Sequence, residues 1–286
     1  MMDIEILLTA LFLSSAAALA GSFLVLSGRS MFGDALSHAV LPGIVLMYLL
    51  TGERSFGGSL VGAILTAIVV SYLIEHLQHI RGIPSDAAIG AVFVVFFALG
   101  IIFISGPAAG VDLDQECVLF GEIAFVPFER WIVGGIDLGA KGVWISAGLL
   151  VFVGLFLHFF RSLLSVVTFD TEYANAIGIP SKKWQQLYSI LISVVVVIGF
   201  ELVGAVLIVS LLVAPSAIAW LFSARINGML RLAVMVAIVS SLVGTGVADV
   251  FDVSISGSIA SVQGILFFIA SAVYRRRFAN KLKKVH

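Results

Sequence analysis

The chain has 286 residues, of which 60% are hydrophobic and 12% are charged, and its formal net charge is −1. A soluble domain has roughly 25% charged residues, so this composition cannot cover a globular surface in water. The near-neutral charge argues against a nucleic-acid partner, and the single cysteine, Cys117, excludes an intrachain disulfide. The composition predicts an all-α fold, a polytopic bundle of transmembrane helices that forms one domain over residues 1–286.

Nine apolar stretches follow one another, each close to the ~20 residues that cross a bilayer. They are residues 6–27, 35–50, 56–74, 87–105, 142–160, 186–205, 206–222, 229–248 and 257–274. The acidic N-terminus and the length of the first stretch favour a span over a cleavable signal peptide. Because stretch 35–50 is short and the sixth and seventh stretches run together through Glu201, Gly204 and Pro215, we predict eight or nine spans.

The second stretch begins with polar residues. Asp34 and His38 are four residues apart, so a helix would place both on one face, one turn apart. A carboxylate oxygen and an imidazole nitrogen suit Mn²⁺, Fe²⁺ or Zn²⁺, and Ser37 would add a weak oxygen or orient a ligand. Pro42 predicts a helix break, because proline lacks a backbone N–H. The alternative is a helix N-cap at Asp34 with a hydrogen-bonded histidine, and two ligands alone do not complete a metal site.

The distribution of lysine and arginine predicts the orientation of the chain in the membrane. If all nine stretches cross and the C-terminus is cytoplasmic, only Arg54, Arg130 and Lys141 of the 16 basic residues lie outside. The longest external segment would then be an acidic loop over residues 106–141, which would attract cations. An ordinary solvated loop and a docking site for a partner are the alternatives.

Residues 162–184 form the most polar internal stretch, and Lys182 and Lys183 indicate that it lies in the cytoplasm. Tyr173–Ile177 is predicted to be a short helix, with Gly178 at its C-terminal cap and Pro180 preventing its continuation. A short helix on the membrane surface would fit a groove on a soluble partner. An ordinary capped loop helix is the alternative.

Further candidates lie in the later stretches. Glu201 is the acid set deepest in apolar sequence, and we favour a hydrogen bond between helices over a cation or proton relay. Asp249 and Asp252 are predicted at the outer end of the eighth stretch, either lining an external mouth or as plain loop carboxylates. The phenylalanines of the fourth stretch, Phe93 and Phe97 among them, indicate a surface packed against lipid or other helices.

Gly33–Gly43, with the sequence GDALSHAVLPG, resembles a hallmark segment of bacterial ABC permeases that import manganese, zinc or iron with an external binding protein. Gly199–Leu221 is similar to the second hallmark of that family. Shorter motifs also match, at Val118–Ile123, Ala174–Pro180 and Asp252–Ser258. The resemblance extends over residues 5–275, nearly the whole chain.

The resemblance implies a permease subunit that passes a divalent metal through a dimer interface by alternating access, with no permanently bound cofactor. Its partners would be cytoplasmic ATP-binding subunits, an external metal-binding protein or lipoprotein, and a second permease, identical or paralogous. The location would be the bacterial plasma membrane, with a cytoplasmic C-terminus. Asp34 and His38 match the positions that coordinate the passing metal.

The resemblance also implies that residues 169–183 contain the helix that couples to the ATPase. The residues assigned there are Asp170, Glu172, Ala174, Ala176, Gly178 and Pro180. The chain has no G-x-x-x-x-G-K-[ST] phosphate loop, so we expect no ATPase site and no enzymatic activity of its own. An ion-coupled secondary transporter is the alternative function, although no clear internal repeat of the kind found in that class is present.

Overall fold

The computed structural model describes residues 4–52, 56–78, 80, 82–106, 123–133 and 135–282. Its helices are α1 (Ile4–Leu26), α2 (Met31–Ala39), α3 (Leu41–Thr51), α4 (Phe56–Gln78), α5 (Ser85–Ser105), α6 (Lys141–Phe169), α7 (Thr171–Ala176), α8 (Ser181–Val203), α9 (Ala205–Phe222), α10 (Ile226–Phe251) and α11 (Ile255–Leu282). Within these ranges nine segments are long and apolar enough to cross a membrane, with α2 and α3 counted together. The predicted helical bundle is therefore confirmed, and the chain is a multi-pass membrane protein.

Several residues named from the sequence lie outside the described part of the chain. They are Arg54, Cys117 and most of the motif Val118–Ile123. The same applies to most of the acids of the predicted external loop, at positions 112, 114, 116 and 122. Predictions that depend on these side chains remain predictions.

The chain divides into two compact units that interleave along the sequence. The first unit contains Met1–Leu26, Glu122–Leu157 and Ser210–His286, and the second contains Ser27–Gly121 and His158–Val209. Helices α6 and α9 each contribute residues to both units.

In the first unit, α1 packs against α10, and α10 packs against α11. A core of mostly small buried side chains forms there, from Ala18, Ala219, Met229, Ala233 and Ala237. A Cβ atom at Gly21 would clash with the backbone of Leu212, and the Ser216 hydroxyl donates to the Ala18 carbonyl at 3.0 Å. Helices α1 and α9 are therefore in direct backbone contact, which is how small residues allow membrane helices to approach.

The first unit also contains a feature that the sequence analysis missed, a β-hairpin inside the predicted loop 106–141. Its strands, β1 (Arg130–Val133) and β2 (Ile136–Ala140), pair antiparallel after a 3₁₀ turn at Ile123–Phe128. The Gly-Gly dipeptide between two apolar runs was the available signal, since a two-residue glycine turn is typical of hairpins. Gly135 has a φ of +83°, which glycine adopts without strain.

In the second unit, α3 packs on α4, α4 packs on α8, and α5 packs on both α2 and α3. Gly43 of α3 and Gly62 of α4 face each other so closely that a Cβ atom on either would clash with the backbone of the other. The absence of side chains at these two positions therefore sets the distance between α3 and α4.

The structure separates the sixth and seventh apolar stretches at Gly204, which has a φ of 83° and a ψ of 169°. Helices α8 and α9 are each long enough to span, so the sixth and seventh stretches count as two of the nine candidate spans. Pro215 lies inside α9 and does not end it. Helix α6 is longer than its apolar stretch, because 29 residues extend over about 43 Å and exceed the ~30 Å of hydrocarbon. Residues 162–169 are consequently helical, although they belong to the polar segment 162–184.

Candidate functional site

Asp34 and His38 lie on α2, a nine-residue helix that ends at Ala39. Helix α3 starts at Leu41, and Pro42 occupies its first turn. Proline is well accommodated there, because first-turn N–H groups have no partner within the helix. The Asp34–His38 pair therefore sits on a short helix directly before an interruption within a membrane-length segment.

The two side chains share one face of α2, with Nε2 of His38 at 3.8 Å from Oδ1 of Asp34. This separation exceeds a hydrogen bond, and it is less than twice the distance of about 2.0–2.2 Å between Zn²⁺ and such donors. One ion can therefore contact both atoms. The side chains remain accessible, with 29% of His38 and 46% of Asp34 exposed. The alternative in which Asp34 caps the helix is wrong, because the N-cap is Ser30 and Asp34 lies inside α2.

The imidazole of His38 is flanked by two phenylalanines of α5. The ring centroids of Phe93 and Phe97 each lie 6.0 Å from that of His38, and the two phenyl rings stack on each other at 5.7 Å. These contacts restrict the plane of the imidazole and hold it beside Asp34. From the sequence, both phenylalanines were predicted to pack against lipid or other helices, and their spacing of four residues indicates that they share a helix face.

Ser37 does not share the exposure of the pair. It is buried, and its hydroxyl donates to the backbone carbonyl of Asp34 at 2.8 Å. Within the described ranges, no cluster of three or more histidine, cysteine, aspartate or glutamate side chains is placed to hold a metal. The described part of this chain thus supplies two donors, and a metal bound there would need further ligands.

The other acids predicted from the sequence differ from the Asp34–His38 pair in their burial or backbone conformation. Glu201 occupies the last turn of α8 and is partly buried, and its predicted hydrogen bond between helices stays a prediction. Asp249 is an exposed residue of α10. Asp252 follows α10 with a φ of 54° and a ψ of 49°, and Val253 N–H donates to the Ala248 carbonyl at 3.3 Å. Asp252 therefore ends α10 in the left-handed conformation that aspartate tolerates.

A buried acid that the sequence analysis overlooked is Glu75 of α4, which is 5% exposed. Its Oε1 atom accepts from Nη1 of Arg29 at 2.6 Å and from the hydroxyl of Ser189 at 2.7 Å. The partners are 46 and 114 residues distant in sequence, so no local spacing could have indicated them.

The segment 162–184 folds as the end of α6, the short helix α7 and the start of α8. Asp170 caps α7, since its Oδ1 accepts the Tyr173 N–H at 2.8 Å. Gly178 ends it with a φ of +85°, and Ile179 N–H donates to the Ala174 carbonyl at 2.9 Å. This geometry confirms the predicted termination of the short helix at Gly178.

The connection from α7 to α8 is held by side chains. Asn175 Oδ1 accepts both the N–H of Ser181, at 3.2 Å, and its hydroxyl, at 2.9 Å. Pro180 is the N-cap residue of α8. Ala174 is buried, whereas Glu172, Tyr173, Ala176 and Ile177 are exposed. Helix α7 is thus firmly joined to α8 and presents a mixed apolar and acidic surface.

Comparison with known proteins places these features in a family. The model of the ABC 3 transport family matches residues 2–274. The chain belongs to the ABC 3 transport family. Two similar proteins are the manganese transport system membrane protein MntD of Bacillus subtilis and the zinc transport system membrane protein TroD of Treponema pallidum. They are 37% and 36% identical to this chain, covering 92% and 93% of it and 88% and 72% of their own lengths.

The fold is likewise similar to that of a solved structure. PsaBC from Streptococcus pneumoniae, solved in complex with Fab, superposes with a TM-score of 0.74 at 30% identity, covering 93% of this chain and 89% of that one. These findings support a membrane component of an ABC transporter rather than an ion-coupled secondary transporter. In this ABC 3 chain, both hallmark segments include helix interruptions, Gly33–Gly43 at Val40 and Gly199–Leu221 at Gly204.

Proposed function

We propose that this chain is the permease subunit of an ATP-driven importer that carries Mn²⁺, Zn²⁺ or Fe²⁺ across the bacterial plasma membrane by alternating access. The observation that carries the proposal is the accessible Asp34–His38 pair, with donor atoms 3.8 Å apart on a short helix inside a membrane-length segment. Charged groups within spans are costly and usually mark a transport route. The names of the relatives, which refer to manganese and zinc, support a divalent transition metal as substrate.

The pair would form half of a transient site. A second permease, identical or paralogous, would supply further donors across a dimer interface. Two donors from one chain bind an ion too weakly to retain it, which suits a transported substrate better than a resident cofactor. Ser37 would act by holding the carbonyl of Asp34. Glu201, Asp249 and Asp252 stay candidate pathway residues from the sequence, and none of them is assigned to the pair.

Coupling to ATP hydrolysis would occur at α7. The cap at Asp170 and the turn at Gly178 and Pro180 give this helix a defined shape, and its exposed Glu172, Tyr173 and Ile177 would fit a groove on a cytoplasmic ATP-binding subunit. The chain itself would hydrolyse no ATP. The C-terminus would lie in the cytoplasm, and the acidic segment 106–141 would face an external metal-binding protein.

The test is metal uptake by the reconstituted complex of this permease with its ATP-binding subunits and binding protein, in proteoliposomes. Asp34→Ala and His38→Ala are expected to abolish ATP-dependent accumulation of Mn²⁺, Zn²⁺ and Fe²⁺ while the complex still assembles. His158→Ala is the matched control, because His158 is an exposed histidine of α6 that contacts Phe159. Normal accumulation by either site variant would refute the role of the pair.

A further inference from the structure

Three segments of the second unit meet at one carboxylate oxygen. Arg29 belongs to the connection between α1 and α2, Glu75 to α4 and Ser189 to α8. Both donors reach Oε1 of Glu75, at 2.6 Å and 2.7 Å. Arg29 is five residues before Asp34 and directly precedes the N-cap of α2. The contact therefore joins the start of α2, which carries the Asp34–His38 pair, to the long helices α4 and α8.

A second contact between α4 and α8 lies one turn away. The hydroxyls of Ser71 and Ser193 are 2.5 Å apart, and Ser193 also donates to the carbonyl of Ser189 at 2.8 Å. Ser71 and Glu75 are four residues apart on α4, as are Ser189 and Ser193 on α8. The two contacts thus fix the register of these helices, because sliding of either helix would break both.

Helix α8 also follows directly on α7, the helix proposed to couple to the ATPase. Asn175 of α7 holds Ser181, and Ser189 lies two turns farther along α8. A continuous helix therefore runs from α7 to the Glu75 carboxylate, and Arg29 continues the connection to α2. Every link belongs to the second unit.

The carboxylate is not arranged for maximal stability. Within the described residues, its second oxygen, Oε2, is buried and has no hydrogen-bond partner. A buried acceptor without a partner costs about 1–3 kcal/mol, and a buried ion pair often stabilises a fold no better than apolar residues do. The vacant oxygen does allow the Arg29 guanidinium to change its point of contact without leaving the carboxylate. The pair is thus suited to remain connected while the helices move.

We propose that Glu75 is a positioning residue that makes α2 move together with α8, so that rearrangement of α7 by the ATPase reorients the Asp34–His38 pair. The inference rests on the proposed function. It assigns to the Arg29–Glu75–Ser189 contact the coupling of ATP hydrolysis to metal movement, which is distinct from binding the metal. Coupling between α7 and the Asp34–His38 pair requires an element whose arrangement depends on both. Helix α8, joined to α2 through Glu75 and Arg29, is such an element.

The first experiment measures ATP hydrolysis and metal uptake together in proteoliposomes that contain the whole complex. Glu75→Gln keeps the shape and an acceptor for Ser189 but removes the charge that holds Arg29. We expect hydrolysis to continue while the ions carried per ATP fall about tenfold, within the range of typical coupling energies. Ser22→Ala, which removes a buried hydroxyl that donates to the Ala18 carbonyl within α1 of the first unit, should leave the ratio unchanged. The exchange Arg29→Glu with Glu75→Arg should restore it in part.

The second experiment measures the distance between α2 and α8 in the absence of metal. Spin labels at the exposed positions Met31 of α2 and Leu187 of α8 report the distance between these helices in the complex. In the wild-type protein the distance should be the same with and without ATP, and in Glu75→Gln it should shift or broaden when ATP binds. An equal change in both proteins would overturn the inference.

The outcomes separate the two proposals. A wild-type complex that hydrolyses ATP but carries no metal contradicts the proposed function, and the label distances then still decide whether α2 follows α8. If Glu75→Gln fails to assemble, Arg29→Gln, which leaves the carboxylate and its Ser189 bond, takes its place. An unchanged ratio of uptake to hydrolysis in an assembled Glu75→Gln or Arg29→Gln complex would show that the contact is merely structural.

Discussion

The two compact units bury polar groups in different ways. In the first unit, Gln263 of α11 is fully buried and joins two neutral hydroxyls, accepting from Ser210 at 2.6 Å and donating to Ser240 at 3.1 Å. In the second unit, a buried contact between helices is instead charged, since Glu75 is buried against Arg29. The second unit also holds the Asp34–His38 pair and α7.

This difference indicates a division of labour. Neutral hydrogen-bonded side chains join membrane helices at modest cost, whereas buried charges are costly and are usually retained for function. Among the described residues of the first unit, Arg130 at the hairpin forms ion pairs with Glu5 and Asp137. We infer that the first unit mainly provides a stable frame and that the second unit contains the parts that bind and move. Four sets of substitutions test this division between the units.

The largest effect is expected from Gly21→Val in the first unit. A side chain there collides with the backbone of Leu212, so α1 and α9 cannot approach, and the loss of stability should reach about 3 kcal/mol or more. The yield of folded protein and its Tm in detergent are the measurements. Gly148→Ala is the control, since a Cβ atom at Gly148 meets only open space. A Gly21→Val protein with normal Tm would contradict the close packing of α1 against α9.

The next comparison sets Glu75→Ala against Gln263→Ala. Removing Glu75 leaves the partly buried Arg29 without its counterion, which should cost about 3 kcal/mol. Removing Gln263 leaves two hydroxyls, and Ser240 already donates to the Ala237 carbonyl, so a loss of about 1–2 kcal/mol is expected. Thermal unfolding of both variants in the same detergent tests the order. Equal losses would remove the distinction between charged and neutral networks.

A smaller effect is expected when the support of His38 is removed. Phe93→Ala should leave the fold intact but free the imidazole to rotate, raising the KM for metal uptake about tenfold, as loss of ligand-orienting neighbours does. Uptake measured over a range of metal concentrations separates KM from the maximal rate. Phe268→Ala, an exposed phenylalanine of the first unit, is the control. A lower maximal rate with unchanged KM would argue against an orienting role.

The smallest effect concerns the hairpin. The hydrogen bond from Arg130, together with the Gly139 N–H, holds the pKa of Asp137 below its usual 3.8. A lowered pKa in the folded state contributes stability above pH 3.8 that is lost as the pH falls through the folded-state pKa. Asp137→Asn should therefore have a slightly lower Tm than the wild type at pH 7, and the difference should vanish in acid. A difference that is independent of pH would contradict this origin.

Much of the fold can be predicted from local sequence. The bilayer demands about 20 apolar residues for each crossing, so the lengths of the apolar runs predict the spans. Gly178 and Pro180 predict the end of α7, because each restricts the backbone directly. The hairpin had an equally local signal in the Gly-Gly dipeptide of the sequence. The coupling role of α7 and the metal role of Asp34 remain predictions.

Local sequence was enough to predict a membrane protein, its helical bundle and the spacing that puts Asp34 and His38 on one face. Each of these depends on neighbours within one helical turn or on the thickness of the bilayer. The packing of the helices was needed to show that Phe93 and Phe97 flank the imidazole and that Gly204 separates two spans. It also decided that Arg29 and Ser189 meet at Glu75. Contacts between residues 46 and 114 positions apart arise from helix packing, which no local pattern encodes.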